Sequence, residues 1–295
     1  MEKNININLT GPKNKFLRFP IVQMFIALIL VVAGFSIIKS LLTQIGTHFQ
    51  IQSTIWFKFL AMIITIALIH TLYFYYVTFI EKRPVLEFGK KSALKELGVG
   101  ALIGFVLFVV AIGLIWIFGY YHVSDINPFY VLIAALVSGL LAGYFEELLF
   151  RVIIFQKIEK LLGTWLALAI IAILFGLMHA GNKNASLLST IALILEAGIL
   201  LTASYMFTRR LWLAMGLHAA WNFTQNGIFG VTVSGSKANG IFVSELSGPN
   251  FISGGTFGAE ASIFAVIICL VVGVYFIKKS YDKGNIFPPA WRRSS

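Results

Sequence analysis

Two adjacent glutamates, Glu146 and Glu147, interrupt a strongly apolar stretch of the chain, "YFEELLFR". Glu147 and Arg151 are four residues apart, so on a helix they share one face and can form an ion pair. Glu146 is rotated from Glu147 by about 100° around the helix and cannot use the same arginine equally. The spacing therefore predicts that Arg151 holds Glu147 and that Glu146 points elsewhere. Taken alone, the three residues could equally form one structural charge network between helices.

A histidine on the next apolar segment is placed to meet Glu146. His179 ends the sequence "FGLMH", and we predict the turn between the two helices near Leu162–Gly163. Because Glu146 and His179 are equally far from this turn, an antiparallel hairpin brings them to the same height. A carboxylate and an imidazole at one height could act in acid–base chemistry or bind a metal ion.

A second histidine belongs to the sequence "GLHAAWNF". His218 and Asn222 are four residues apart on one helix face, and both side chains could donate to one oxygen, as in an oxyanion hole. Either histidine alone is explained more simply as a cap or a bridge between helices. A glutamate, a histidine and a His–Asn pair on three successive apolar segments favour a catalytic site instead.

Other hydrolytic centres fit the sequence poorly. Cys269 lies on another apolar segment with no charged neighbour, and no serine stands in a recognisable nucleophile motif. The zinc-protease motif HExxH is absent. An acid–base or a metal-ligand site built on Glu146 and the histidines therefore stays open.

The composition defines where this site must be built. The chain has 295 residues, of which 58% are hydrophobic and 12% charged, and its mean hydropathy is +0.87. A soluble domain would need more charge to cover its surface. Continuous apolar runs, without the alternation of a transmembrane barrel, predict helices, which satisfy their own backbone hydrogen bonds in lipid. We predict an all-α, polytopic membrane protein that forms a single domain over residues 1–295.

Eight segments are long enough to span a bilayer, which takes ~20 mainly apolar residues. Within the single domain we separate three N-terminal spans (1–127), a catalytic core of four spans (128–229), an ordered or semi-ordered outer loop rich in Gly, Ser and Asn (230–258), and a last span with its tail (259–295). The predicted spans are 20–45, 54–80, 98–119, 128–155, 164–180, 185–208, 211–229 and 259–278.

Most of the 23 Lys and Arg residues lie on one side of this arrangement. The positive-inside rule then places both termini in the cytoplasm, and the net charge of +11 faces anionic lipid rather than nucleic acid. The residues on this side are Lys3, Lys13, Lys15, Arg18, Lys82, Arg83, Lys90, Lys91, Lys95, Arg151, Lys157, Lys160, Arg209, Arg210, Lys278, Lys279, Lys283, Arg292 and Arg293.

Ionisable residues within spans are costly and mark function by default. Lys39 and Lys58 can extend to an interface, and His70, alone on its span, is best explained as a hydrogen-bonded structural histidine. Glu196 lies in the middle of "ALILEAGILL" and could pair with another helix or act as a second functional carboxyl. We favour the structural explanation for Glu196.

Three motifs together resemble a known family. "EELLFR" matches EExxxR, "FGLMH" (Phe175 to His179) matches FxxxH, and "HAAWN" (His218 to Asn222) matches HxxxN. In this order on successive membrane helices they are similar to the CAAX-protease and bacteriocin-processing family, also called Abi or CPBP. The resemblance covers residues 128–229, and the loop 230–258 is similar to loops of some bacterial members.

The resemblance implies a membrane-embedded endopeptidase. Glu146 would be the general base, His179 would position the water, and His218 with Asn222 would hold the oxyanion. Glu147, Arg151 and Phe175 would support these residues. A set of Glu146, His179 and His218 could instead bind zinc, but we expect no metal or other cofactor because Asn222 suits an oxyanion hole and is a poor zinc ligand.

The resemblance also implies a multi-pass protein of a bacterial plasma membrane, whose partners are the lipid bilayer and a peptide or membrane-anchored substrate such as a leader peptide. One alternative is a non-proteolytic immunity or regulatory protein that binds a membrane partner. Another is a proton-coupled transporter, against which we find no inverted repeat and no pair of broken spans.

Overall fold

A computed structural model describes residue 12 and residues 14–292, so Lys3, Lys13 and Arg293 of the topology prediction lie outside the described residues. In the described part, six helices are long and apolar enough to cross a membrane. The all-α, polytopic membrane class is thus supported, whereas eight spans and cytoplasmic termini stay predictions. The six helices are Pro20–His48, Ile55–Glu81, Ala93–Ile117, Val131–His179, Leu187–Thr208 and Ile263–Asp282.

The elements follow the chain in a simple order. Two strands accompany ten α-helices among the described residues. They are α1 (Pro20–His48), α2 (Ile55–Tyr75), α3 (Ala93–Ile117), β1 (Tyr121–Ile126), α4 (Val131–Glu147), α5 (Gln156–His179), α6 (Leu187–Leu193), α7 (Ile199–Thr208), α8 (Leu211–Phe223), β2 (Phe242–Leu246), α9 (Asn250–Ser253) and α10 (Ile263–Asp282).

Gly163 divides the long helical stretch Val131–His179. Its φ of 77° and ψ of 170° are not helical, and they fall at the predicted turn between Glu146 and His179. The positive φ suits glycine, and a Cβ here would come within 2.7 Å of the backbone nitrogen of Pro289. The stretch therefore consists of two helical segments that meet at Gly163.

Wide π-helical turns interrupt the helices near the polar residues. They occupy Leu148–Phe155 after the two glutamates, Ile194–Gly198 around Glu196, and Thr224–Ile228 after α8. Each wide turn shifts the helical register and turns the following side chains towards a new face, a feature frequent at functional sites.

Close packing of glycine fixes α8 against its neighbours. A Cβ on Gly143 of α4 would lie 2.9 Å from the backbone nitrogen of Ala219, and one on Gly104 of α3 would collide with the carbonyl oxygen of Leu217. Small residues allow membrane helices to approach in this way. Helix α8 is thereby held firmly between α3 and α4.

A two-stranded antiparallel sheet departs from the purely helical prediction. β1 pairs with β2, so that Tyr121 lies opposite Leu246 and Ile126 opposite Phe242. The segment 230–258, which we expected to be a loop, thus contains β2 and α9. The two strands are far apart in sequence, and no local hairpin signal announces their pairing.

Candidate active site

The hairpin of α4 and α5 brings Glu146 to His179, as their spacing predicts. Oε2 of Glu146 lies 3.8 Å from Nε2 of His179 and 3.9 Å from Nε2 of His218. These side chains line a cavity of about 280 Å³, together with Asn222. All four predicted catalytic residues therefore face one cavity.

The Glu147–Arg151 pair behind the cavity is fully buried. Oε1 of Glu147 accepts hydrogen bonds from Nη1 of Arg151 at 2.9 Å and from Nδ1 of His218 at 2.8 Å. Arg151 also donates to the carbonyl oxygen of Ala197 at 3.1 Å. The predicted ion pair is confirmed. The additional bond to His218 joins helices far apart in sequence and was not anticipated.

The hydrogen bonds of His179 identify the atom that it presents to Glu146. Its Nδ1 lies 2.8 Å from the carbonyl oxygen of Phe175, which can only accept, so Nδ1 carries the hydrogen. In the neutral ring, Nε2 then directs a lone pair towards Oε2 of Glu146. That oxygen is buried and has no hydrogen-bond partner among the described residues. Two acceptors that face each other leave a place for a donor such as water.

His218 is oriented by Glu147. Because Oε1 of Glu147 accepts from both Arg151 and His218, the hydrogen of His218 lies on Nδ1, and Nε2 faces the cavity. Asn222 follows one turn later on α8 and lines the same cavity. An imidazole and a carboxamide are thus presented side by side.

Phe175 packs between the buried pair and the histidines. Its ring centroid lies 4.8 Å from that of His179 and 5.1 Å from that of Phe150, and the Arg151 guanidinium stands 4.6 Å from the ring centre. This geometry combines aromatic packing with a cation–π contact. The supporting role that the resemblance implies for Phe175 stays a prediction, and these contacts are consistent with it.

The arrangement of possible ligands bears on the alternative in which the site binds zinc. No group of three or more His, Cys, Asp or Glu side chains in the described part of the chain is arranged to hold a metal ion. Glu146, His179 and His218, the alternative zinc ligands considered from the sequence, do not form such a group. Metal-free catalysis therefore stays a prediction.

His70 and Glu196 are two further ionisable residues of the spans, and their surroundings differ. His70 makes a hydrogen bond of 3.1 Å through Nδ1 with the Tyr144 hydroxyl, as expected for a structural histidine. Glu196 lines the cavity, and Sγ of Cys269 lies 3.7 Å from its Oε1. The expectation that Cys269 lacks a charged neighbour is wrong, because the contact joins two helices distant in sequence.

Glu260 also lines the cavity and was not singled out from the sequence. It precedes α10, so the last helix begins later than the predicted boundary at residue 259. The only sequence signal was an acidic residue at the edge of an apolar segment, which does not reveal a cavity.

These features define a multi-pass membrane protein with a hydrolase-like polar cavity. Residues 128–224 match the family model described as Rce1-like, type II CAAX prenyl endopeptidase Rce1-like. The match contains all of the predicted site residues, so this segment is similar to type II CAAX prenyl endopeptidases. No curated protein and no solved structure matches the chain significantly.

Proposed function

We propose that this protein is an intramembrane endopeptidase in which Glu146 is the general base that activates water. One observation carries the proposal. Oε2 of Glu146 faces the cavity without a hydrogen-bond partner, 3.8 and 3.9 Å from the Nε2 atoms of two histidines. Its neighbour Glu147 is fully buried and held through Oε1 by two donors, and it does not line the cavity, so Glu146 is the carboxylate placed to accept a proton there.

The reaction follows from the hydrogen-bonding capacity of each residue. A water donates to Glu146 and to Nε2 of His179, which orient its lone pair towards the carbonyl carbon of the substrate. Glu146 takes one proton as the new C–O bond forms, and later delivers it to the departing amine as the C–N bond breaks. The catalyst then returns to its starting protonation state.

The oxyanion of the tetrahedral intermediate needs donors. Asn222 offers its amide hydrogens. His218 already donates from Nδ1 to Glu147, so it donates from Nε2 as well only when the ring is an imidazolium, a form that the Glu147 carboxylate stabilises. Two donors aimed at one oxygen are the usual device for stabilising such an intermediate.

The substrates that we propose are peptides or membrane-anchored precursors such as leader peptides, cleaved in a bacterial plasma membrane with both termini of the protease in the cytoplasm. Two alternatives remain as outcomes of the test. The chain could bind a membrane partner as an immunity or regulatory protein, or carry protons through Glu146, Glu196 and the histidines.

A cleavage experiment separates these functions. Wild type, Glu146→Gln and a control, Glu245→Gln on the exposed face of β2, are expressed at equal level in the same membranes. Mass spectrometry of peptide N- and C-termini then compares the cuts. Cuts made by wild type and the control but missing in Glu146→Gln support the protease. Identical cut profiles in all three overturn it.

A chelator series on the same membranes examines metal dependence. Cleavage that persists after chelation supports the metal-free reaction. Loss of cleavage that added Zn²⁺ restores would instead favour Glu146, His179 and His218 as ligands.

A further inference from the structure

Two carboxyl groups that the proposed hydrolysis does not use line the same cavity as Glu146. Glu196 lies in the wide turn Ile194–Gly198, and Glu260 precedes α10. Each residue is only 3% exposed. Buried carboxylates are costly unless they are paired or neutralised, so their presence here requires an explanation.

Glu196 is short of partners. Among the described residues, its Oε2 is buried without a hydrogen bond, and the carboxyl group is contacted by the weak donor Sγ of Cys269 and by the backbone of Ala197. Arg151 acts on it electrostatically, but the guanidinium donates its hydrogen bonds to Glu147 and to the carbonyl oxygen of Ala197. Among the described residues, Glu196 therefore forms no ion pair within 4.0 Å.

Glu260 is held in place but not neutralised. Its Oε1 accepts hydrogen bonds from the backbone N–H and the hydroxyl of Ser234, at 2.6 and 3.0 Å. Burial raises the pKa of Glu260 to about 7, although the bonds from Ser234 and the nearby His218 oppose that rise. The carboxyl group can thus gain a charge near neutral pH, and Glu196 is close enough to interact with it electrostatically.

We propose that Glu196 and Glu260 form an acidic subsite that binds a cationic side chain of the substrate, lysine or arginine, next to the scissile bond. This inference rests on the proposed endopeptidase function. The subsite shares the cavity of about 280 Å³ with Glu146, so its occupant must belong to the part of the peptide being cut. An ammonium or guanidinium group would supply the hydrogen bonds that Oε2 of Glu196 lacks.

The cation could also be the amino terminus of a peptide, and the experiment distinguishes the two sources. The purified full-length protein in lipid nanodiscs is given a peptide library with acetylated N-termini and amidated C-termini. Mass spectrometry records the residues on either side of each cut. We expect lysine and arginine to be enriched within two residues of the cut. Cuts confined to a matched library with free N-termini would overturn side-chain binding.

A selected peptide then quantifies the effect. We expect its kcat/KM to exceed that of the same peptide with norleucine in place of lysine by about tenfold to hundredfold, the size of a charged hydrogen bond. Glu196→Gln and Glu260→Gln keep the side-chain shape and should bring this ratio towards one. Glu245→Gln, outside the cavity, should keep the wild-type ratio, and thermal unfolding confirms that each variant is folded.

The outcomes separate the subsite from the protease. Equal cleavage of both peptides by wild type, or an unchanged ratio in folded Glu196→Gln and Glu260→Gln, overturns the acidic subsite and leaves the protease intact. No cleavage above the Glu146→Gln background overturns the proposed function, and the subsite with it.

Discussion

Glu146 and Glu147 are neighbours in sequence, but their carboxylates lie in different surroundings. Glu147 is fully buried and accepts hydrogen bonds from Arg151 and His218. The side chain of Glu146 keeps 28% exposure and turns its unpartnered Oε2 to the cavity. Rotation by one residue around the helix thus separates a supporting carboxylate from the one placed to react.

Amide substitutions should distinguish the two positions. Glu146→Gln removes the base and should reduce kcat to background without lowering the melting temperature. Glu147→Gln leaves Arg151 without its counter-charge and should lower the melting temperature as well as activity. Peptide cleavage and thermal unfolding in detergent measure the two effects. A destabilised Glu146→Gln protein would show that Glu146 also supports the fold.

Arg151 should behave as half of a buried pair. Arg151→Met strands the Glu147 carboxylate and should cost about 3–5 kcal/mol of unfolding free energy. The double variant Glu147→Gln with Arg151→Met leaves neither charge unpaired, so it should be more stable than the sum of the single effects predicts. Additive losses in chemical unfolding would mean that the two residues act independently.

Local spacing predicted a large part of this site. Helix geometry alone predicts the Glu147–Arg151 pair and the shared face of His218 and Asn222. The position of the turn alone predicts that His179 lies at the same height as Glu146. Gly163 sits at that turn, and the four predicted catalytic residues face one cavity.

Contacts between segments that are distant in sequence could not be predicted from local spacing. The His218–Glu147 bond, the pairing of β1 with β2, and the approach of Glu196 and Glu260 to one cavity each join segments distant in sequence. Hydropathy predicts that Glu196 lies within a span but does not indicate which face the wide turn Ile194–Gly198 presents.

Substitutions of the two expected oxyanion donors should lower activity to a similar degree but affect protein stability differently. His218→Ala and Asn222→Ala should each lower kcat roughly 10²–10³-fold, with a smaller change in KM. His218→Ala should also lower the melting temperature because Glu147 loses a donor. Asn222→Ala should unfold at the wild-type temperature. Full kcat in both variants would place the oxyanion elsewhere.

The α4–α8 contact can be tested with a pair of glycines. A Cβ on Gly143 would lie 2.9 Å from both the Cβ and the backbone nitrogen of Ala219, whereas one on Gly113 would have no neighbour within 4 Å. Gly143→Ala should therefore separate Glu146 from His218 and reduce kcat. The overpacking should cost about 1–3 kcal/mol of unfolding free energy, which also lowers the melting temperature. Gly113→Ala should do neither. Equal behaviour of the two variants would show that this close approach is not needed.

The pH dependence of substrate preference should report on Glu260. Burial raises the pKa of Glu260 to about 7, so the carboxyl is mostly neutral at pH 6 and mostly charged at pH 8. The preference for a lysine peptide over its norleucine counterpart should therefore increase as pH rises through 7. Taking the ratio cancels any pH dependence of the hydrolysis itself, which is common to both peptides.

Glu196 and His218 are the titratable groups that interact with Glu260, so the change must be assigned by substitution. In Glu260→Gln the ratio of kcat/KM values should lose most of its increase between pH 6 and 8, whereas Glu245→Gln should retain it. A ratio that falls with increasing pH in wild type would contradict an anionic subsite, because the charge on Glu260 grows in that direction. An increase that persists in Glu260→Gln would assign the titration to Glu196 instead.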